Sequence, residues 1–358
     1  MAYQNVGTPR FYVDWGSWLK SIGKFEIYEP DNANFNKFTG GSNSPYNTTE
    51  QDIYNLVGLN PSDPFTITSQ GQAGWGEICL SSGSLGSTDP NSFPNFAAIL
   101  GHNFHTSGTK FVVASEDGTN NNVGVAQDEH ILNSNWGIPD YDGSSIVTFT
   151  NPNSLEYLRV VLSSNQSGEF DSSLVYLDDI TMGAICYGRY YDMPHSPDMN
   201  LKMSIEMDGI KTIQSRGGAT LSNATYTKPA DWGDRGCWQL GSGESGQGIS
   251  NLRSGRRVWD LSFSYLSDSS VMPANASTTN LSGSEADDFE TNILDGTDFF
   301  SQVWNKTMGG HLPFIFQPDN TNNNPDQFAI ARFDMNSLQY EQVANNVYNV
   351  KLKIRESW

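Results

Sequence analysis

Two histidines in this sequence have a spacing that could bind a metal. His102 and His105 lie three residues apart, just before the β-branched run Lys110 to Ala114. That position predicts a turn leading into a strand, whereas an HExxH zinc motif needs both imidazoles on one face of a helix. The pattern therefore favours histidines that are hydrogen-bonded in a turn, and no metal ligand is assigned.

Neighbouring carboxylates are the next candidates for chemistry. Glycoside hydrolysis needs two carboxyl groups about 5 to 10 Å apart across a cleft. In a chain with 40 Asp and Glu residues such neighbours arise by chance, so we assign no catalytic residue. Calcium coordination near Asp178 or Asp117 is an alternative, although the spacing fits no EF-hand. The pairs are Asp140 and Asp142, Asp178 and Asp179, and Asp287 and Asp288.

A glycine motif resembles a nucleotide-binding signature only in its spacing. Gly241, Gly243 and Gly246 satisfy GxGxxG, but they lie in a Ser/Gly stretch with no helical pattern after it. The dinucleotide fingerprint must follow a strand and open a helix. The sequence also has no GxSxG or Walker motif and no Cys–His constellation. We therefore expect a protein that is not an enzyme and needs no cofactor.

The composition of the chain excludes some classes of binding partner. The 358 residues have a formal net charge of −20 and a pI of about 4.4, which leaves no large basic surface. Direct nucleic-acid binding and insertion into a membrane are therefore not expected. Cys79, Cys186 and Cys237 are too few and too dispersed for a disulfide framework. Together with a polar start that has no signal-peptide pattern, they predict synthesis in a reducing cytoplasm.

Short β-branched and aromatic runs separated by turn residues dominate the sequence. This pattern predicts a mainly-β fold, with a β-sandwich of jelly-roll type and a split β-barrel flanked by one helix. The helix is predicted at about 297–308, with Thr297 or Asp298 as its cap. The final run from Asn346 to Arg355 alternates as a half-buried strand does. Predicted core residues are Trp259, Phe263, Phe299, Trp304, Phe314 and Phe316.

The order of these elements suggests three segments. Residues 1–55 hold an N-terminal strand and arm that joins the C-terminal barrel. Residues 56–186 form the jelly-roll sandwich, and residues 187–358 form the barrel with its helix. Two polar loops of the barrel segment, at 241–255 and 274–288, are candidate arms between subunits.

Two stretches resemble proteins of bacteriophage virions. NFAAILGHNFHTSGTKFVVASEDG, at 95–118, is similar to discoidin-like jelly rolls with a "GHN" turn and a later "DG" turn. The stretch 155–185 continues that pattern. From about residue 205 to 358 the chain resembles phage tail-tube and distal-tail (baseplate) proteins. That resemblance rests on RRVWDLSF at 256–263, the helix, GHLPFIFQPD at 310–319 and the terminal NVYNVKLKIRESW.

This resemblance implies a structural protein of the virion tail or baseplate. It implies a symmetric ring of six copies that contacts neighbouring tail-tube, hub or fibre proteins. The jelly roll would project outward, toward a neighbour or a host-surface glycan. The chain would be made in the bacterial host cytoplasm and end in the virion tail, where ring neighbours pair exposed strand edges.

Three other functions stay open at this point. A free carbohydrate-binding protein or adhesin would stack sugar rings on aromatic side chains, for which Trp75, Trp136 and Tyr141 are the candidates. A polysaccharide-degrading enzyme would use a carboxylate pair such as Asp140 and Asp142. A capsid decoration protein would differ from a tail protein only in its place on the virion.

Overall fold

We analysed the fold in a computed structural model. It describes residues 6–25, 37–40, 45–47, 54–59, 65–71, 74–81, 93–116, 137–140, 142–149, 157–164, 175–206, 210–224, 231–232, 235–236, 256–273, 296–323 and 327–357. The strands are β1 (Arg10–Asp14), β2 (Lys37–Gly40), β3 (Pro45–Asn47), β4 (Phe65–Ile67), β5 (Gly74–Ser81), β6 (Phe96–His102), β7 (Lys110–Glu116), β8 (Gly143–Thr148), β9 (Tyr157–Ser163), β10 (Ile180–Met182), β11 (Ala184–Asp192), β12 (Lys202–Glu206), β13 (Ile210–Gln214), β14 (Thr220–Ala224), β15 (Asp231–Trp232), β16 (Arg235–Gly236), β17 (Arg256–Ser267), β18 (Phe314–Gln317), β19 (Ala329–Phe333), β20 (Tyr340–Ala344) and β21 (Val347–Glu356). The helical segments are α1 (Trp15–Ser21), α2 (Phe104–Ser107), α3 (Asp268–Val271) and a π-helical turn at Phe300–Trp304.

One antiparallel sheet of ten strands runs through most of the described chain. Its order is β12-β17-β21-β19-β18-β1-β11-β6-β8, with β20 also paired to β21. Strand β1 lies inside it, because Phe11 pairs with Phe316 of β18 on one side and with Tyr191 of β11 on the other. The division into segments at 55/56 and 186/187 stays a prediction, and β11 runs across the second of these positions.

A second sheet of five strands, ordered β3-β2-β5-β9-β7, completes the sandwich. Ile78 of β5, Val113 of β7 and Val160 of β9 belong to the same buried apolar cluster as Ile99 and Ile185 of the ten-stranded sheet. Alternate residues of a strand point to opposite faces, so each sheet contributes one face to this shared core. The prediction of a mainly-β fold with a β-sandwich is confirmed.

The C-terminal part of the ten-stranded sheet packs on a cluster of phenylalanines. The ring centroids of Phe314 and Phe333 are 4.8 Å apart, and Phe11 lies 5.3 Å from Phe316 and 5.6 Å from Phe299. Each such contact adds about 0.5–1.5 kcal/mol beyond the burial of area. Of the predicted core residues, Trp304 is half-buried against this cluster and the others are buried.

Two details refine the predicted barrel. In the part of the chain that the structure describes, the ten-stranded sheet ends at β12 and β8 and does not close on itself. Of the helix predicted at about 297–308, the structure has a π-helical segment at Phe300–Trp304, and residues 305–311 follow it as turns. The opposite face of the sheet is also buried around Tyr12, Phe96 and Ile315. No helix within the described ranges is long and apolar enough to cross a membrane.

Candidate functional site

The side chains of the three aromatic residues predicted to bind glycans lie outside the described part of the structure. Trp75 lies in β5, opposite Thr39 of β2 and Ser163 of β9, but its side chain is outside the described part of the structure. Trp136 and Tyr141 also lie outside the described residues. Their glycan-binding role therefore stays a prediction.

The carboxylate pair considered for hydrolysis is split between two environments. The buried Asp142 carboxylate accepts hydrogen bonds from the Thr106 amide, at 3.0 Å, and from the Thr106 hydroxyl. It thereby fixes α2 against the start of β8. Asp140, in contrast, is exposed. The two carboxyl groups thus differ in burial, and Asp142 is already engaged in holding a turn.

The pair at 178–179 also supports loop structure. One carboxylate oxygen of Asp179 accepts hydrogen bonds from the Ser69 and Gln70 amides, at 2.8 and 3.0 Å. Asp178 accepts a bond from the Asp179 amide, at 2.8 Å. These contacts join the loop after β4 to the loop before β10. Asp117, Asp287 and Asp288 lie outside the described residues.

The two histidines take different roles. His102 is buried at the end of β6, with Nε2 2.8 Å from the Ser145 hydroxyl and Nδ1 accepting a bond from the Phe104 amide. His105 is exposed in α2, with Nδ1 3.1 Å from the Pro139 carbonyl oxygen. Both histidines are hydrogen-bonded as predicted, but His102 ends strand β6 and His105 lies in the short helix α2, so neither lies in the predicted turn. The described residues contain no group of three or more His, Cys, Asp or Glu side chains that could hold a metal ion.

The feature that stands out is a hairpin that projects from the body. Strands β13 and β14 form a two-stranded sheet of their own, and residues 210–224 are called the hairpin below. Apart from Ser215, each side chain described from 210 to 223 is exposed. Ile213 and Leu221 lie directly opposite each other, with 66% and 60% of their surface exposed. An isolated two-stranded hairpin is marginally stable in water, so this apolar pair gains burial only from another surface.

The turn of the hairpin explains why it folds locally. The Ser215 amide donates to the Ala219 carbonyl at 2.8 Å, and the Ser215 hydroxyl accepts from the Ala219 amide at 3.0 Å. Gly218 has a φ of 83°, a left-handed conformation that glycine adopts without steric cost. A Ser-Arg-Gly-Gly turn between two short strands thus sets the register.

The charge of the hairpin differs in sign from that of the whole chain. Lys211 and Arg216 are its two charged residues, whereas the chain as a whole carries −20. A basic, partly apolar projection on an acidic protein is complementary in charge to a second copy of the same protein. Chemically, this arrangement can bind a surface.

Sequence reasoning missed this hairpin and placed the candidate arms at 241–255 and 274–288, which lie outside the described residues. A usable signal was present: Ile210 to Gln214 and Thr220 to Ala224 flank the Gly217-Gly218 turn.

Comparison with protein-family models and with curated proteins gives no significant match.

Proposed function

We propose that the chain is a structural protein of a bacteriophage tail or baseplate that assembles into a symmetric ring. The observation that carries this proposal is the exposed hairpin at 210–224, which presents the Ile213–Leu221 pair and two cations to a neighbour. Its role is assembly and not catalysis. The assignment to a virion rests on the two sequence resemblances, one at 95–118 and 155–185 and the other from about 205 to 358.

The exposed strand edges support the same proposal. Within the described residues, β12 and β8 end the ten-stranded sheet, so each presents backbone N–H and C=O groups on its outer side. Such edges favour pairing with another chain, and a closed ring satisfies them without unlimited growth. Contacts with neighbouring tail-tube, hub or fibre proteins would use the faces that the ring leaves open.

Negative-stain electron microscopy of the purified full chain tests this function. We expect closed rings of one diameter, and antibodies against the chain should label the tail of the virion whose genome encodes it. Labelling of the head would instead support a capsid decoration protein. Single subunits without rings, combined with no labelling of virions, would contradict the proposal.

A further inference from the structure

Tyr265 is a second exposed side chain that packs on no other part of the described monomer. It lies in a β-bulge of β17, where Ser264 and Tyr265 together face Asn349 of β21. Its φ is 62°, a left-handed conformation that is rare for a bulky residue, and 79% of its surface is exposed. Its backbone is held by a 3.1 Å hydrogen bond from its amide to the Asn349 side chain. Strained conformations of this kind concentrate at functional sites, and bulges re-aim side chains there.

A second large side chain lies at the same end of β17. Met199 is fully exposed, and its neighbour Asp198 is bound to β17 twice. The Asp198 amide donates to the Ser262 carbonyl at 2.8 Å, and its carboxylate accepts from the Ser264 hydroxyl at 2.7 Å. Met199 thus follows a residue that is bonded to the neighbour of Tyr265, and Tyr265, Met199 and Asp198 are called the Tyr265 patch below. Aromatic and methionine side chains are enriched at protein interfaces.

Acidic groups accompany the patch. Asp198 is bonded to Ser264, and the exposed Asp268 follows Tyr265 by three residues at the start of α3. Glu341 is also exposed and pairs with Asn349, the residue that holds the Tyr265 amide. Two cations lie nearby: Lys351 on the neighbouring strand, opposite Ser262, and Lys202 at the start of β12, opposite the exposed Asp260. The four carboxylates outnumber these two cations, so the patch complements the basic hairpin in charge as well as in apolar surface.

The hairpin and the patch lie at opposite ends of the edge strand β12. Its last residue, Glu206, pairs with Arg256 at the start of β17 and leads toward the hairpin, whereas Asp198 precedes β12 and lies near Ser262. The five residues of β12 between these two points span about 15 Å. We propose that the hairpin of one copy docks on the Tyr265 patch of a second copy, in a head-to-tail contact that repeats around the ring. Two different surfaces joined in this way form rings when the rotation closes.

This inference rests on the proposed ring assembly and names the two surfaces that would form it. The Tyr265→Gly variant tests the patch, because glycine accepts the left-handed backbone and an exposed ring is removed. The Ile213→Ser/Leu221→Ser variant tests the hairpin. The Thr212→Ala/Ser222→Ala variant is the matched control, since this cross-strand pair lies on the opposite face of the same hairpin.

Sedimentation velocity of each variant gives the concentration at which rings dissociate. We expect that concentration to rise by at least about tenfold for the two test variants and to stay unchanged for the control. Circular dichroism should show the same strand content and thermal midpoint in all of them. Rings that are equally stable in the test variants would overturn the inference while leaving the proposed function in place. Failure of the wild-type chain to form rings would overturn both.

A cross-linking experiment locates the contact directly. A photoreactive benzoylphenylalanine replaces Leu221, and labelled and unlabelled copies are mixed before irradiation, so that mass spectrometry separates contacts between copies from contacts within one. We expect cross-links to peptides that contain Met199 or Tyr265 of the other copy. Cross-links between copies that reach only other peptides would overturn the inference.

Discussion

At the end of α1, the ammonium group of Lys20 links two parts of the described chain. It donates to the carbonyl oxygens of Tyr54 and Val57, and it lies 4.1 Å from the Tyr54 ring centroid and 5.2 Å from that of Phe25. Burial nevertheless lowers the pKa of Lys20 to about 8, a shift that the nearby Asp14 carboxylate only partly opposes. Lys353 shows the contrast: its bond to Asp334, at 2.7 Å, raises its pKa.

We predict that Lys20 loses its proton near pH 8 in the folded protein. Its unfolded pKa is 10.5, so between these values the unfolded chain binds more protons than the folded one. The contribution of Lys20 to the free energy of unfolding therefore rises as the pH increases from about 8 to 10.5. NMR titration of labelled lysine side chains, assigned with Lys20→Arg, measures this directly, with Lys353 as the internal control. A Lys20 titration above that of Lys353 would contradict the prediction.

At the residue scale, the sequence could predict local roles but not burial. The surroundings of His102 were enough to predict a hydrogen-bonded histidine, although it lies at the end of strand β6 and not in the predicted turn. The burial of Asp142 and the exposure of Asp140 could not be predicted, because both residues lie in one polar stretch and Thr106, which binds Asp142, is 36 residues away. The left-handed backbone conformation of Tyr265 could not be predicted either, because it depends on a bulge that is set by the register between β17 and β21.

Among the elements, the helical segment at 297–308 shows how one of two predicted caps was selected. The Asp298 carboxylate is buried and accepts bonds from the Ser301 amide, at 2.9 Å, and from the Ser301 hydroxyl, at 2.8 Å. Thr297 is exposed. The cap therefore holds Phe299 and Val303 against the phenylalanine cluster.

We predict that Asp298→Ala lowers the free energy of unfolding by about 1–2 kcal/mol, because the Ser301 amide loses its partner. Thr297→Ala, the matched control one residue earlier, should change it by less than about 0.5 kcal/mol. Urea denaturation followed by tryptophan fluorescence measures both. Equal effects of the two substitutions would be inconsistent with a cap at Asp298.

The positions of the strands were predicted better than the pairing between them. The alternation in the last strand was correctly predicted, and β21 spans Val347–Glu356. Its pairing with β17, β19 and β20 could not be inferred, because alternation shows which face is buried but not which strand lies beside it. The hairpin at 210–224 was missed because its strands carry a weak apolar signal, a consequence of their exposure on both faces.

For the whole molecule, the main surprise is the continuity of the described core. Phe11, Ile99, Val160, Trp259 and Leu352 belong to one buried cluster that spans both large sheets. Strand β1 joins the C-terminal strands to β11 and β6 within one sheet. The mainly-β class followed from composition and turn spacing, whereas this long-range pairing depends on contacts between residues hundreds of positions apart.

We therefore predict that the monomer unfolds in a single cooperative transition. Removing β1 exposes the edges of both β18 and β11, so a chain that begins at residue 15 should lose the whole fold and not only its C-terminal part. Differential scanning calorimetry of the full chain, at concentrations below assembly, checks this prediction. Two well-separated transitions, or a folded truncated chain, would show instead that the segments are independent.

Self-assembly is the central claim, and the molar mass of the purified full chain tests it most directly. Light scattering coupled to size-exclusion chromatography should give one species, with a molar mass that is an integer multiple, greater than one, of the 39.5 kDa chain mass. The Ile213→Ser/Leu221→Ser variant should return the mass of one chain at concentrations where the wild type is assembled. A wild-type mass of one chain at every concentration reached would contradict the account.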